Sequence, residues 1–413
     1  MFIIALLLTV IFCIVRPNPA VFCIVFFQVG LYMIFSYHSF FPIDEEAHFT
    51  YVEYLIEHCR APKFTDSISA SALNQIFPGN ADMSSYYEAV QPPLYYFLCA
   101  LITGFMKSIK ARFYICRVLD LFFCISAIFT VYRSFGYLIS RKIIKDSAYL
   151  DYIFYIAAFS QEFFIRSFVV TNDSLMYLLT ALCFFFLLKI ICEDKGYLLL
   201  TITLLLLLWT KISAGYFVGI MIAVLFVKKK FKKMCLMTGI SIAGIMPWLI
   251  YNKMNYGDFT GSSSHIALVE NVINPDGTAY SVMDCLQRLP GCIRDIFGNS
   301  SASLVLGGAA GLVFSFLAVL FLLSELFSIV FIFVRIVRLR SVFKFSLNEI
   351  ILGMSAFSSL LAYSVISYVA AATDLYIIAS RVMLCCIFPA QFIFCGKPSG
   401  LLPGSCRIIV PES

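Results

Sequence analysis

Apolar runs of bilayer-crossing length recur along this chain, more than one soluble core could bury. Of 413 residues, 61% are apolar and 13% charged, whereas a soluble domain carries about 25% charged residues. The expected fold class is therefore an all-α membrane protein, a polytopic helical bundle. A net charge of +6 calls for no nucleic-acid partner, because positive loops on the cytoplasmic side account for it. Fifteen Cys do not make a disulfide scaffold. Cys13, Cys23, Cys99, Cys116, Cys124, Cys183, Cys385 and Cys386 lie in apolar runs, where a thiol behaves as a small hydrophobe. Cys285 and Cys292 share a polar loop and would pair in an oxidising compartment. No Cys/His spacing suggests zinc.

Charge sets the topology. Arg141, Lys142 and Lys145 form one basic cluster, the run Lys228 to Lys233 a second, and Arg335, Arg338, Arg340 and Lys344 a third. Short basic loops stay inside. With all three inside, the spans fall at 2–15, 20–37, 113–138, 147–166, 174–191, 197–210, 213–227, 234–251, 304–334, 348–372 and 382–396, about eleven in all. Met1 to Val15 reads as a short first helix, not a signal peptide, because Arg16 follows the apolar run. The apolar segment from Pro92 to Met106 is too short to cross and would invert the loop charges if it did. It is expected to lie in the outer interface. Residues 1–413 then make a single transmembrane domain, with an external acidic loop at 38–112 that carries interfacial helices and a second external loop at 252–303. With no targeting tail, a bacterial inner membrane is the expected location.

The chemistry concentrates behind the second span, at Asp44-Glu45-Glu46-Ala-His48. Ionisable groups at a membrane surface are a functional-site hypothesis by default. One reading is structural: Asp44 caps a helix whose first turn holds Glu45 and Glu46. The other is catalytic. A carboxylate in a dry cleft with its pKa raised could take a proton from an acceptor hydroxyl, with His48 orienting substrate. Adjacent carboxylates and a His would also suit a hard divalent cation such as Mg or Mn, although the spacing requires none.

A departing phosphate needs positive charge. Arg112, Arg117, Lys211 and Arg381 are the candidates, with Lys107 and Lys110 as snorkelling anchors. Arg117 and Asp120, three apart, and Glu162 and Arg166, four apart, are expected to neutralise each other along their helices. Glu325, deep in its span, is expected to pair across helices or to be protonated, not to be catalytic. His265 is expected to be solvated.

In order along the chain stand Asp44-Glu45, His48-Phe-Thr-Tyr51, Gln91-Pro-Pro-Leu-Tyr95-Tyr96, Val170-Thr-Asn172-Asp173, Pro247-Trp-Leu-Ile-Tyr-Asn252, Tyr256-Gly-Asp and Ala379-Ser-Arg381. The series resembles membrane glycosyltransferases of the GT-C fold, particularly bacterial proteins related to protein O-mannosyltransferases and lipid A aminoarabinose transferases. The resemblance implies inverting sugar transfer from a polyprenyl-phosphate-linked donor to a lipid or polysaccharide acceptor at the external membrane face. It maps the catalytic acid onto Asp44 or Glu45 and a second acid onto Asp173, with Asn172, His48, Gln91 and Tyr95 on the substrate side. Some relatives carry a phosphate-contacting Lys directly before the double proline; this chain has Gln91. The other readings are a transporter or flippase of lipid-linked saccharide and an inactive scaffold subunit of a polysaccharide-assembly complex. No internal inverted repeat supports a transporter.

Overall fold

The computed structural model describes residues 2–39, 44–66, 74–77, 86–143, 161–261 and 332–339, with single positions at 151, 154, 155, 158, 159, 330, 345, 346 and 350. Arg381, Cys285, Cys292, His265, Glu325, the loop beyond 261 and nearly all of the last three expected spans lie outside the described residues.

Every described element is a helix. In chain order these are α1 (Phe2–Val15), α2 (Pro19–Ser36), α3 (Glu45–His58), a 3₁₀ turn (Tyr87–Val90), α4 (Leu94–Thr103), α5 (Ile109–Ser140), α6 (Gln161–Arg166), α7 (Asn172–Glu193), α8 (Tyr197–Thr210), a second 3₁₀ turn (Ile212–Gly215), α9 (Tyr216–Val227) and α10 (Phe231–Tyr256). Among the described residues, α2, α5, α7 and α10 are long and apolar enough to cross a membrane. The chain is thus a helical membrane protein by length and composition, with four such spans among the described residues.

Local sequence explains the boundaries. Asn18 accepts from Val21 N at 3.0 Å and Pro19 opens α2, a position where its missing N–H costs nothing. Ser108 accepts from Ala111 N, so α5 begins at Ile109, earlier than the expected 113. Arg112 and Arg117 therefore sit inside its first three turns. Thr171 caps α7 at Asp173 N. Lys211 takes an extended conformation between α8 and α9 and divides the two apolar runs. Gly30 lets α2 approach α5 closely, because a Cβ there would collide with the Leu121 side chain.

The molecule is inverted relative to a soluble one. Ile14, Tyr32, Phe97, Leu101, Phe105, Leu198, Leu236 and Met254 are more than half exposed, whereas Glu45, Arg117, Asp120, Arg166 and Asp173 are fully buried. That is the distribution a hydrocarbon solvent selects. On α4, the exposed Phe97 and Leu101 lie one turn apart on one face, opposite buried Tyr95, Tyr96 and Cys99. This suits the interfacial placement read from its length.

The two ends of the bundle differ. At one end the basic clusters close helix termini. Arg141 pairs with Glu193, Lys230 with Asp194 at 2.7 Å, and Lys228 donates to the carbonyls of Ile190 and Ile191 at the end of α7. The other end gathers the start of α3, the first 3₁₀ turn, the starts of α4, α5 and α7, the Lys211 break and the end of α10. There Trp248 Nε1 and Asn252 Nδ2 both donate to the Val90 carbonyl, at 3.2 and 3.3 Å.

Candidate functional site

At that second end, Glu45 and Arg117 form a buried lock. Arg117 Nε and Nη2 donate to Glu45 Oε1 and Oε2 at 2.8 and 2.7 Å, and Val170 N donates to Oε1 at 2.9 Å. The remaining guanidinium donors reach the carbonyls of Ile34, Tyr37 and Ser39, and the Phe113 ring lies 4.4 Å from Arg117 Cζ. A fork against a carboxylate with this many supplementary bonds is the geometry that repays burial. The expected pairing of Arg117 with Asp120 does not form. Asp120 instead accepts from Tyr95 OH at 2.7 Å and from Ser174 Oγ, joining α4, α5 and α7. The lock engages Glu45 and Arg117 with each other, and Tyr95 is given to Asp120.

Asp173, in the first turn of α7, is fully buried. Lys211 Nζ donates to its Oδ1, and Arg166 Nε lies 3.7 Å from its Oδ2. The side chain of Glu162, expected to pair with Arg166, is outside the described residues. Arg112, another phosphate candidate, forks onto Glu53 and donates to Met106 O at 2.8 Å. Gln91 contributes its carbonyl to Tyr51 OH at 3.3 Å.

Between the lock and Asp173 lies a second polar chain. His48 Nδ1 is 2.8 Å from Tyr96 OH, and Asn172 Nδ2 donates to Tyr96 OH and to Thr210 O, both at 3.4 Å. Tyr51 stacks on Tyr96 with ring centroids 3.8 Å apart and holds the phenol in place. Glu88, Asp44, Lys211 and Asp173 all act electrostatically on His48. Asp44 adopts a left-handed conformation (φ 66°, ψ 12°), which Asp tolerates better than most residues. It stands at the helix-capping position, and its side chain makes no capping bond to the first turn of α3.

Burial holds the His48 imidazole below its ordinary value of 6.5, opposed by the carboxylates of Glu88, Asp44 and Asp173 and reinforced by Lys211. The sign follows. The unfolded chain binds the proton more readily, so the contribution of neutral His48 to stability is complete above pH 6.5 and is lost as pH falls through the lowered folded-state value. Thermal unfolding in detergent should show wild type losing more stability between pH 7.5 and 5 than His48→Gln does. Parallel acid limbs would remove His48 from the account.

Among the described residues no group of three or more His, Cys, Asp or Glu side chains is placed to hold a metal ion. Sequence reasoning missed Glu88 and the tie from Arg166 to Asp173. Glu88 was one acid among many in its loop, and its signal is position, three residues before Gln91-Pro-Pro. No family model, curated protein or solved structure matches this chain.

Proposed function

We propose that this protein is an inverting glycosyltransferase that moves a sugar from a polyprenyl-phosphate-linked donor to an acceptor hydroxyl at the external face of a bacterial inner membrane. One observation carries the reading. Asp44 stands at the start of α3 one turn before His48, and His48, Tyr96 and Asn172 form a buried polar chain that ends beside the Asp173–Lys211 pair at one end of a membrane bundle. In the proposed reaction the acceptor O–H gives its proton to Asp44. The acceptor oxygen bonds to the anomeric carbon as the bond to the phosphate oxygen breaks, and the phosphate departs with the electron pair. Lys211 and Arg166, beside Asp173, bring positive charge to the wall where that anion develops. Glu45 holds the site together through Arg117, which leaves Asp44 as the base.

The test is reconstitution in sealed liposomes with hexosyl undecaprenyl phosphates and acceptor lipid. Donor consumption with inversion at the anomeric carbon is expected. Movement of intact donor between leaflets without consumption would replace the transferase with a flippase, and neither outcome would leave the scaffold reading.

A further inference from the structure

Among the buried polar atoms at this site, His48 Nε2, Asn172 Oδ1 and Glu88 Oε2 find no hydrogen-bond partner among the described residues. His48 is 1% exposed, Asn172 0% and Glu88 7%. Buried polar atoms are bonded in the great majority of cases, so each exception calls for a partner. The three come from α3, α7 and the first 3₁₀ turn. They are tied together as well. His48 and Asn172 meet on the Tyr96 hydroxyl, and the 3₁₀ turn that carries Glu88 packs against α3, the helix of His48.

The donor and acceptor roles can be worked out. Thr210 O only accepts, so the Asn172 nitrogen must face it, and that nitrogen also donates to Tyr96 OH. Tyr96 is fully buried, and among the described residues its own proton then has one destination, His48 Nδ1 at 2.8 Å. The opposite tautomer would leave the phenolic proton without an acceptor among the described residues, the costly state for a buried donor. Neutral His48 therefore carries its proton on Nε2. The site presents one N–H donor and two oxygen acceptors, one of them a carboxylate. A bare phosphate offers acceptors only and would be repelled by Glu88. Hydroxyl groups both donate and accept and match all three atoms.

Resting on the transferase reading above, we propose that His48 Nε2–H, Asn172 Oδ1 and Glu88 Oε2 form the subsite that reads hydroxyl groups of the transferred sugar, with Tyr96 as the positioning residue that fixes the imidazole tautomer. The chain has 4 His, so 15N-histidine NMR of the full protein in nanodiscs is tractable, and subtraction of a His48→Gln spectrum assigns His48. The expected result is a protonated Nε2 and a bare Nδ1, with Tyr96→Phe producing a mixture of tautomers. Hexosyl and N-acetylhexosaminyl undecaprenyl phosphates should include a species that shifts the Nε2 signal, and undecaprenyl phosphate alone should not. Glu88→Gln should weaken binding of that species roughly 10- to 100-fold, the range for a hydrogen bond to a charged group, while leaving the affinity for undecaprenyl phosphate unchanged.

A proton on Nδ1 in wild type overturns the subsite. So does an equal shift by undecaprenyl phosphate alone, or no shift with any member of the panel. Sugar transfer that depends on Asp44 in a protein giving one of these results would leave the transferase reading standing and remove only the subsite. Donor movement without consumption, alongside a sugar-dependent shift of Nε2, would remove the transferase reading and leave a sugar-recognising site.

Discussion

Arg117→Ala is expected to destabilise the protein by about 3–5 kcal/mol, the range for removing one partner of a buried ion pair. Truncation takes the guanidinium fork away from the Glu45 carboxylate, which is fully buried and keeps the Val170 amide as a donor. It also removes the donors now satisfying the carbonyls of Ile34, Tyr37 and Ser39. Arg117→Lys keeps the charge and loses the fork, so it should fall between wild type and Ala. The double variant Arg117→Met with Glu45→Met is the informative one. It removes both charges and fills the space with flexible apolar side chains, and it should recover much of the loss. Thermal unfolding in detergent and yield of folded protein would measure all three. A double variant no better than Arg117→Ala would mean that the lock is more than a charge pair. A neutral Arg117→Ala would dismiss it. The lock bears on function because its bonds tie the end of α2, the start of α3, α5 and the strand of chain before α7. Asp44 is the residue next to Glu45, so its place is set by this joint.

The helices were legible because apolar runs and capping residues act over a few positions. The start of α3 at Asp44-Glu45-Glu46, the short helix α4 after Pro92-Pro93 and the break at Lys211 all follow from local rules. The charge pairs did not follow. Neighbour logic joined Arg117 to Asp120, yet Arg117 reaches Glu45, 72 positions earlier. In water a pair three residues apart is adequate, since solvent completes the shell. Inside an apolar bundle each charge needs a partner and several further donors or acceptors together, and one helix face cannot supply them. The partner comes from whichever helix packs opposite, and spacing carries no record of that. The same reason hid Glu88, whose relation to His48 exists only once the first 3₁₀ turn folds back over α3. It also explains why Arg112 and Lys211, read as open cations, are engaged by Glu53 and Asp173. Arg381 and the last spans lie outside the described residues.

Asp44→Asn should lower sugar transfer roughly 10²- to 10⁴-fold, the usual worth of a general base, with little change in folding or in donor binding. The substitution is chosen for the backbone. Asp44 is left-handed, and Asn is the residue that tolerates this conformation about as well, whereas Ala would add strain and confuse the outcome. The amide keeps the shape and loses the basicity. Glu45→Gln is the matched comparison. Glu45 accepts from Arg117 and from Val170, so neutralising it weakens the lock and should appear first as lost stability, not as a selective loss of turnover. The two carboxylates are adjacent in sequence and are separated by their surroundings, one forked by a guanidinium in the core, the other half-buried just before α3, one turn from His48. Single-turnover rates with a hexosyl undecaprenyl phosphate, measured beside unfolding temperature, would distinguish them. An Asp44→Asn enzyme at near wild-type rate would remove Asp44 as the base. A Glu45→Gln enzyme of unchanged stability and abolished rate would transfer the role to Glu45, and the buried fork would then be part of the chemistry.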